Sequence, residues 1–68
     1  MLKYKIDVLE TLNKNGYNTS RLRKEKILPE KTIQSIRLDK MVGIKTLERL
    51  CEVLNCQPGD IVFYDNTH

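Results

Sequence analysis

The sequence predicts an all-α protein, a compact bundle of four to five short helices with a small β ribbon possible between its two ends. Three observations lead there. Aliphatic residues recur at helical spacing, most clearly Leu47, Leu50, Cys51 and Leu54 at i, i+3, i+4 and i+7. Aromatic residues are few, one Phe and three Tyr with no Trp, so aliphatic helix packing must fill most of the core. A chain of 68 residues buries only about 60% of its unfolded surface, which argues against a large catalytic cavity.

The first helix runs from about Ile6 or Asp7 to Asn15. Val8, Leu9 and Leu12 form its apolar stripe, Asp7 favours its positive end, and Gly16 suits the position just past its last turn. Asn18 then caps a second helix over Thr19 to Lys26, with Tyr17 and Leu22 placed as a hydrophobic staple. Pro29 fixes its own φ and disfavours an α conformation at Leu28, so a third helix begins there rather than continuing the second. In that helix, about 29–37, Ile33 and Ile36 mark the buried side, Leu28 staples onto Ile33, and Lys31, Gln34, Ser35 and Leu38 lie opposite.

Residues 38–43 read as a loop with Gly43 at the next N-cap, and the fourth helix spans Ile44 to Asn55. Gln57-Pro58-Gly59-Asp60 opens either a short fifth helix through Val62 or a turn. Asp60 caps that turn or neutralises its N-terminus. The apolar IVFY run has β propensity, and Leu2, Tyr4 and Ile6 alternate, which is the basis for the ribbon. Residues 63–68 are expected to form an extended tail of one 1–68 domain.

The net charge of +3 is unevenly spread. Residues 19–45 hold eight Lys/Arg against three acids, a local charge of +5, while residues 46–68 carry −3. Positive charge is therefore concentrated around the second and third helices, which points to a polyanionic partner. No apolar run approaches the roughly 20 residues that span a bilayer, and a cytoplasmic location is expected. Cys51 lies on the apolar stripe and Cys56 follows the helix end, so both read as reduced packing residues. Two cysteines and the terminal His68 fall short of the four N/S ligands of a structural zinc site, and neither a phosphate loop nor a nucleophile elbow is present. The expectation is no metal, no cofactor and no enzymatic activity.

Two short helices joined by a turn and flanked by two longer core helices suggest a helix-turn-helix. The stretch RLRKEKILPEKTIQSI resembles the core of the Cro and phage-repressor (Xre-type) family, with Leu22, Leu28, Ile33 and Ile36 at its apolar positions and Thr32 at a frequent polar one. MVGIKTLERLCEVLNCQPGDI resembles that family's fourth helix and its ending. The resemblance covers residues 6–62 and implies a fold of the lambda-repressor-like type, with the helix-turn-helix at about 19–37. Arg23 stands where the family usually has alanine, Ile27 where it has glycine, and Pro29 where it more often has a Ser or Thr cap. Arg23 is expected to snorkel outward.

An α-helix fits the major groove of B-DNA, about 12 Å wide, and its first two turns reach base edges. Here those residues are Glu30, Lys31, Gln34 and Ser35. Gln34 suits adenine, Lys31 guanine and Glu30 cytosine, whereas Ser35 discriminates little. Phosphate contacts fall to Thr19 and Ser20 at the second helix's N-terminus and to Arg21, Arg23, Arg37, Lys40 and Lys45 around it. The resemblance supports Thr19 and the loop from Leu38 to Lys45 as phosphate-facing.

The resulting expectation is a sequence-specific regulator of transcription that binds double-stranded DNA as a homodimer on a palindromic operator. Ile61, Val62, Phe63 and Tyr64 are the expected dimer contact, being the apolar run left once the core is filled. The alternative is an antitoxin-like or co-regulator module that uses the same scaffold to contact protein, favoured by the acidic C-terminal third.

Overall fold

The computed structural model describes residues 1–66. A short strand β1 (Leu2–Tyr4) is followed by helices α1 (Val8–Lys14), α2 (Thr19–Lys24), α3 (Glu30–Arg37), α4 (Ile44–Leu54) and α5 (Pro58–Ile61), and then by strand β2 (Val62–Tyr64). The strands pair antiparallel with Leu2 opposite Tyr64, Lys3 opposite Phe63 and Tyr4 opposite Val62. This is the anticipated all-α bundle with its terminal ribbon. Residues 63 and 64 belong to β2 rather than to a tail, and the expected tail at 67–68, His68 included, lies outside the described residues.

Asn18 and Gly43 stand at the helix starts foreseen for them, while Asp7, expected inside the first turn and to act by its charge, is instead the N-cap of α1. Asp7 accepts the Glu10 N–H at 3.2 Å, and Asn18 accepts that of Arg21 at 2.8 Å. Gly43 caps α4 without a side chain. Pro29 is the N-cap of α3 rather than its first helical residue, so the flanking Leu28 and Ile33 stand one before and four after it, in the staple arrangement, and both are buried.

The helix ends share one device. Each of α1 to α4 is followed by a left-handed residue, respectively Gly16 (φ 87°), Lys26 (φ 54°), Asp39 (φ 59°) and Asn55 (φ 52°). In each case the next N–H reaches back five residues: Tyr17 to Leu12, Ile27 to Leu22, Lys40 to Ser35 and Cys56 to Cys51, at 2.8 to 3.0 Å. These are Schellman closures, which satisfy orphan carbonyls and turn the chain sharply. Lys26 in this conformation stops α2 at Lys24, two residues earlier than its polar sequence suggests. The Schellman contact also sets Cys56 beside Cys51. Burial, then the neighbouring Cys51 thiol, pushes the Cys56 thiol up.

The core gathers Val8 and Leu12 of α1, Leu22 of α2, Leu28, Ile33 and Ile36 around α3, Leu50 of α4, and Ile61 and Val62. The last two correct an expectation. Ile61 is fully buried and Val62 is 8% exposed, so half of the supposed leftover apolar run fills the bundle itself. The Lys5 N–H donates to the Ile61 carbonyl at 2.7 Å and the ribbon pairs Val62 with Tyr4, which draws both residues inward. Only Phe63 and Tyr64 remain exposed. On α4 only Leu50 is fully buried, with Leu47, Cys51 and Leu54 half-buried along the same stripe.

Candidate nucleic-acid interface

Helices α2 and α3 are joined by residues 25–29, and the buried Leu22, Leu28 and Ile33 hold the pair against the rest of the core. Burying Ile33 and Ile36 turns Glu30, Lys31, Gln34, Arg37 and Leu38 to solvent, with Ser35 half-buried beside them. Glu30 and Gln34 are one turn apart, as are Lys31 and Ser35. The first two turns of α3 thus present a carboxylate, an ammonium and an amide on one open face.

Two of these groups, the carboxylate and the amide, do not act singly. The Arg23 guanidinium crosses the turn and grips Glu30 with both arms, Nε to Oε2 and Nη2 to Oε1, the latter at 3.1 Å. Gln34 Nε2 donates to the same Oε1 at 3.1 Å. These hydrogen bonds, Arg23's first and Gln34's second, hold the Glu30 carboxyl below its ordinary range. Its charge and the network are therefore fully present near neutrality and are lost only as pH falls below about 4.5 through the lowered folded-state value. Arg23 does reach outward, as anticipated, but towards a carboxylate.

Arg21 is also engaged. Its guanidinium lies 4.4 Å from the Tyr17 ring centre, donates to Glu25 at 2.7 Å and donates to the Gly16 carbonyl at 3.0 Å. The hydrogen bond to Glu25 raises the Arg21 value further. By contrast, Lys31, Arg37, Lys40 and Lys45 have no carboxylate within ion-pair distance among the described residues.

The remaining anticipated residues divide by location. Thr19 and Arg37 line one cleft of about 700 Å³ together with Asp7, Glu10 and Asp39. Ser20 is exposed on the first turn of α2, and Lys45 on that of α4. Lys40 sits in the loop after α3, where its own N–H donates to the Ser35 carbonyl at 2.8 Å.

Tyr4 was missed by the sequence reading. Its hydroxyl donates to the Lys40 carbonyl at 2.7 Å across 36 residues of chain, tying the loop that carries Lys40 to β1. Burial raises the Tyr4 value above its ordinary one. Alternation in the N-terminal segment hinted at a strand, yet nothing local links it to residue 40. Tyr4→Phe is expected to lower stability by about 1 kcal/mol in urea denaturation, the net worth of one hydrogen bond. Amide exchange should also quicken at Lys40 and its neighbours; unchanged exchange there would show that the loop is held otherwise.

Two helices set across a tight turn, the second with an open polar face and cationic flanks, define a helix-turn-helix DNA-binding protein of the transcription-regulator class. The model of the Cro/C1-type HTH DNA-binding domain matches residues 6–66, and the chain belongs to that family. No curated protein and no solved structure matches it. Among the described residues, no helix is long and apolar enough to cross a membrane.

Proposed function

We propose that the protein regulates transcription by laying α3 in the major groove of a specific operator, bound as a homodimer on a palindrome. The observation that carries this reading is the open polar face of α3 within the +5 segment of the chain. Lys31 and Gln34 are the base readers, donating to guanine and pairing with adenine respectively. Glu30 holds Gln34, and half-buried Ser35 contributes shape more than discrimination. Thr19 and Ser20 on α2, with Lys40 and Lys45 flanking α3, contact phosphate, and Arg37 adds charge from the same region. The engaged Arg21 and Arg23 serve chiefly to order the unit.

Binding measured by anisotropy over increasing salt tests the reading. Log affinity should fall linearly with log salt at about −0.9 per neutralised phosphate, and Lys40→Ala should flatten the line by about that amount. A flat line would favour the alternative, an antitoxin-like or co-regulator module that contacts protein.

Homodimer formation rests on the ribbon. Leu2 and Tyr64 face each other across it, 52% and 69% exposed, while Phe63, opposite Lys3, is 43% exposed on the ribbon's other face. Paired about a two-fold axis, such patches would set recognition helices for half-sites about 34 Å apart. Tyr64→Asp should shift the protein towards monomer in sedimentation velocity while leaving its circular dichroism unchanged. An unaltered dimer would move the contact elsewhere.

A further inference from the structure

The network of Arg23, Glu30 and Gln34 has a use beyond tying α2 to α3, and this inference rests on the base-reading role of Gln34. Arg23 and Glu30 are 46% and 51% exposed, so as an ion pair they contribute little to stability. Their geometry is specific nonetheless. A two-armed guanidinium fork fixes the carboxylate plane, and that carboxylate in turn accepts from the Gln34 amide.

A glutamine amide has two faces of opposite sense, and free in water it presents either its carbonyl or its amino group to a given neighbour. Glu30, an acceptor only, admits just the amino group. One Gln34 N–H is thereby committed, leaving one N–H and the carbonyl oxygen to point away from Glu30. Adenine in the major groove offers an acceptor at N7 beside a donor at N6, which asks for that pair of groups. Guanine offers two acceptors, N7 and O6, and would confront the Gln34 carbonyl with a second acceptor.

We infer that Arg23 is a specificity-determining positioning residue: by clamping Glu30 it sets the sense of the Gln34 amide and so selects adenine against guanine. Arg23 occupies the last turn of α2 and acts from outside the recognition helix. Glu30, spoken for by two donors, is a positioning residue as well and not a reader of cytosine.

Selection of bound sites from random duplexes, followed by affinities for the four bases at each position, tests this. Gln34→Ala first marks the base pair that Gln34 reads. Arg23→Met and Glu30→Gln should both reduce the preference for adenine over guanine at that same pair by fivefold or more, with preferences at other pairs retained. Arg23→Met removes a positive charge and is expected to lower affinity for all duplexes as well, whereas Glu30→Gln removes a negative one and is expected to raise it. Arg23→Lys, a cation without the fork, should restore overall affinity but not the adenine preference. Free of DNA, the Gln34 side-chain amide resonances should move in Arg23→Met and in Glu30→Gln.

If Gln34→Ala relaxes one base pair while Arg23→Met and Glu30→Gln leave its preference intact, the positioning role is wrong and the base-reading role stands. A uniform loss across all four bases in Arg23→Met and Glu30→Gln would likewise reduce the clamp to structure. If Gln34→Ala relaxes no pair, or no duplex is bound at all, the base-reading role falls and this inference with it.

Discussion

Leu12→Ala should leave little folded protein at room temperature. Leu12 is fully buried at the centre of α1, among Leu22, Ile33, Leu50 and Ile61, the other fully buried large side chains. Truncating such a leucine typically costs about 2 to 5 kcal/mol, because the cavity collapses only in part. A core in a chain of this size rarely supplies more than about 3 to 5 kcal/mol in total. The loss is therefore comparable to the whole stability. Urea denaturation followed by far-UV circular dichroism reads the effect. Leu38→Ala, at a leucine 64% exposed, should change stability by no more than about 0.5 kcal/mol and serves as the control. Equal midpoints for the two variants would mean that the core has been placed wrongly.

The second large effect falls on recognition. Gln34→Ala should reduce preference for the selected operator over scrambled duplex by about 1 to 3 kcal/mol, which is roughly 5- to 150-fold. Non-specific affinity should stay as it was, since the amide carries no charge and phosphate contacts supply that component. The fold should also survive, because Gln34 is exposed and makes its hydrogen bond only to the equally exposed Glu30. Competition titrations against both duplexes separate the two components. Equal weakening on both would reassign Gln34 from base edge to backbone.

Much of this arrangement was legible in the residues. Asn18 and Gly43 name their helix starts, Pro29 divides α2 from α3, and the stripe through Leu50 outlines α4, because caps and helical periodicity act over a few residues. Where α2 ends was not legible. A lysine in the left-handed region is uncommon, and Lys26 adopts it because the Schellman bond from Ile27 to Leu22 and the burial of Leu28 require the chain to turn there. The family's usual glycine position is Ile27, so the left-handed residue stands one place earlier than the resemblance suggests.

The C-terminal run shows a different limit. In IVFY four apolar residues follow one another without alternation, and local pattern does not say which face the core or which face water. That is settled by pairing with a strand at the far end of the chain, which buries Ile61 and Val62 and leaves Phe63 and Tyr64 outside. At the interface, the exposed face of α3 followed from Ile33 and Ile36. The partners of its side chains did not, since Arg23 and Glu30 are seven residues apart and meet only through the geometry of the turn. The Tyr17, Arg21 and Glu25 contacts, each at i, i+4, lay within reach of the sequence and went unread.

The claim beneath all of this is that α3 faces the bases. Amide resonances of isotopically labelled protein, followed while a selected duplex is added, test it most directly. The largest shifts are expected at Glu30 to Ser35, with a second group at Thr19, Ser20 and Lys40 to Lys45, and small ones at Cys51 to Cys56 on the far end of α4. Shifts confined to Leu2 to Tyr4 and Val62 to Tyr64, with α3 unmoved, would contradict it.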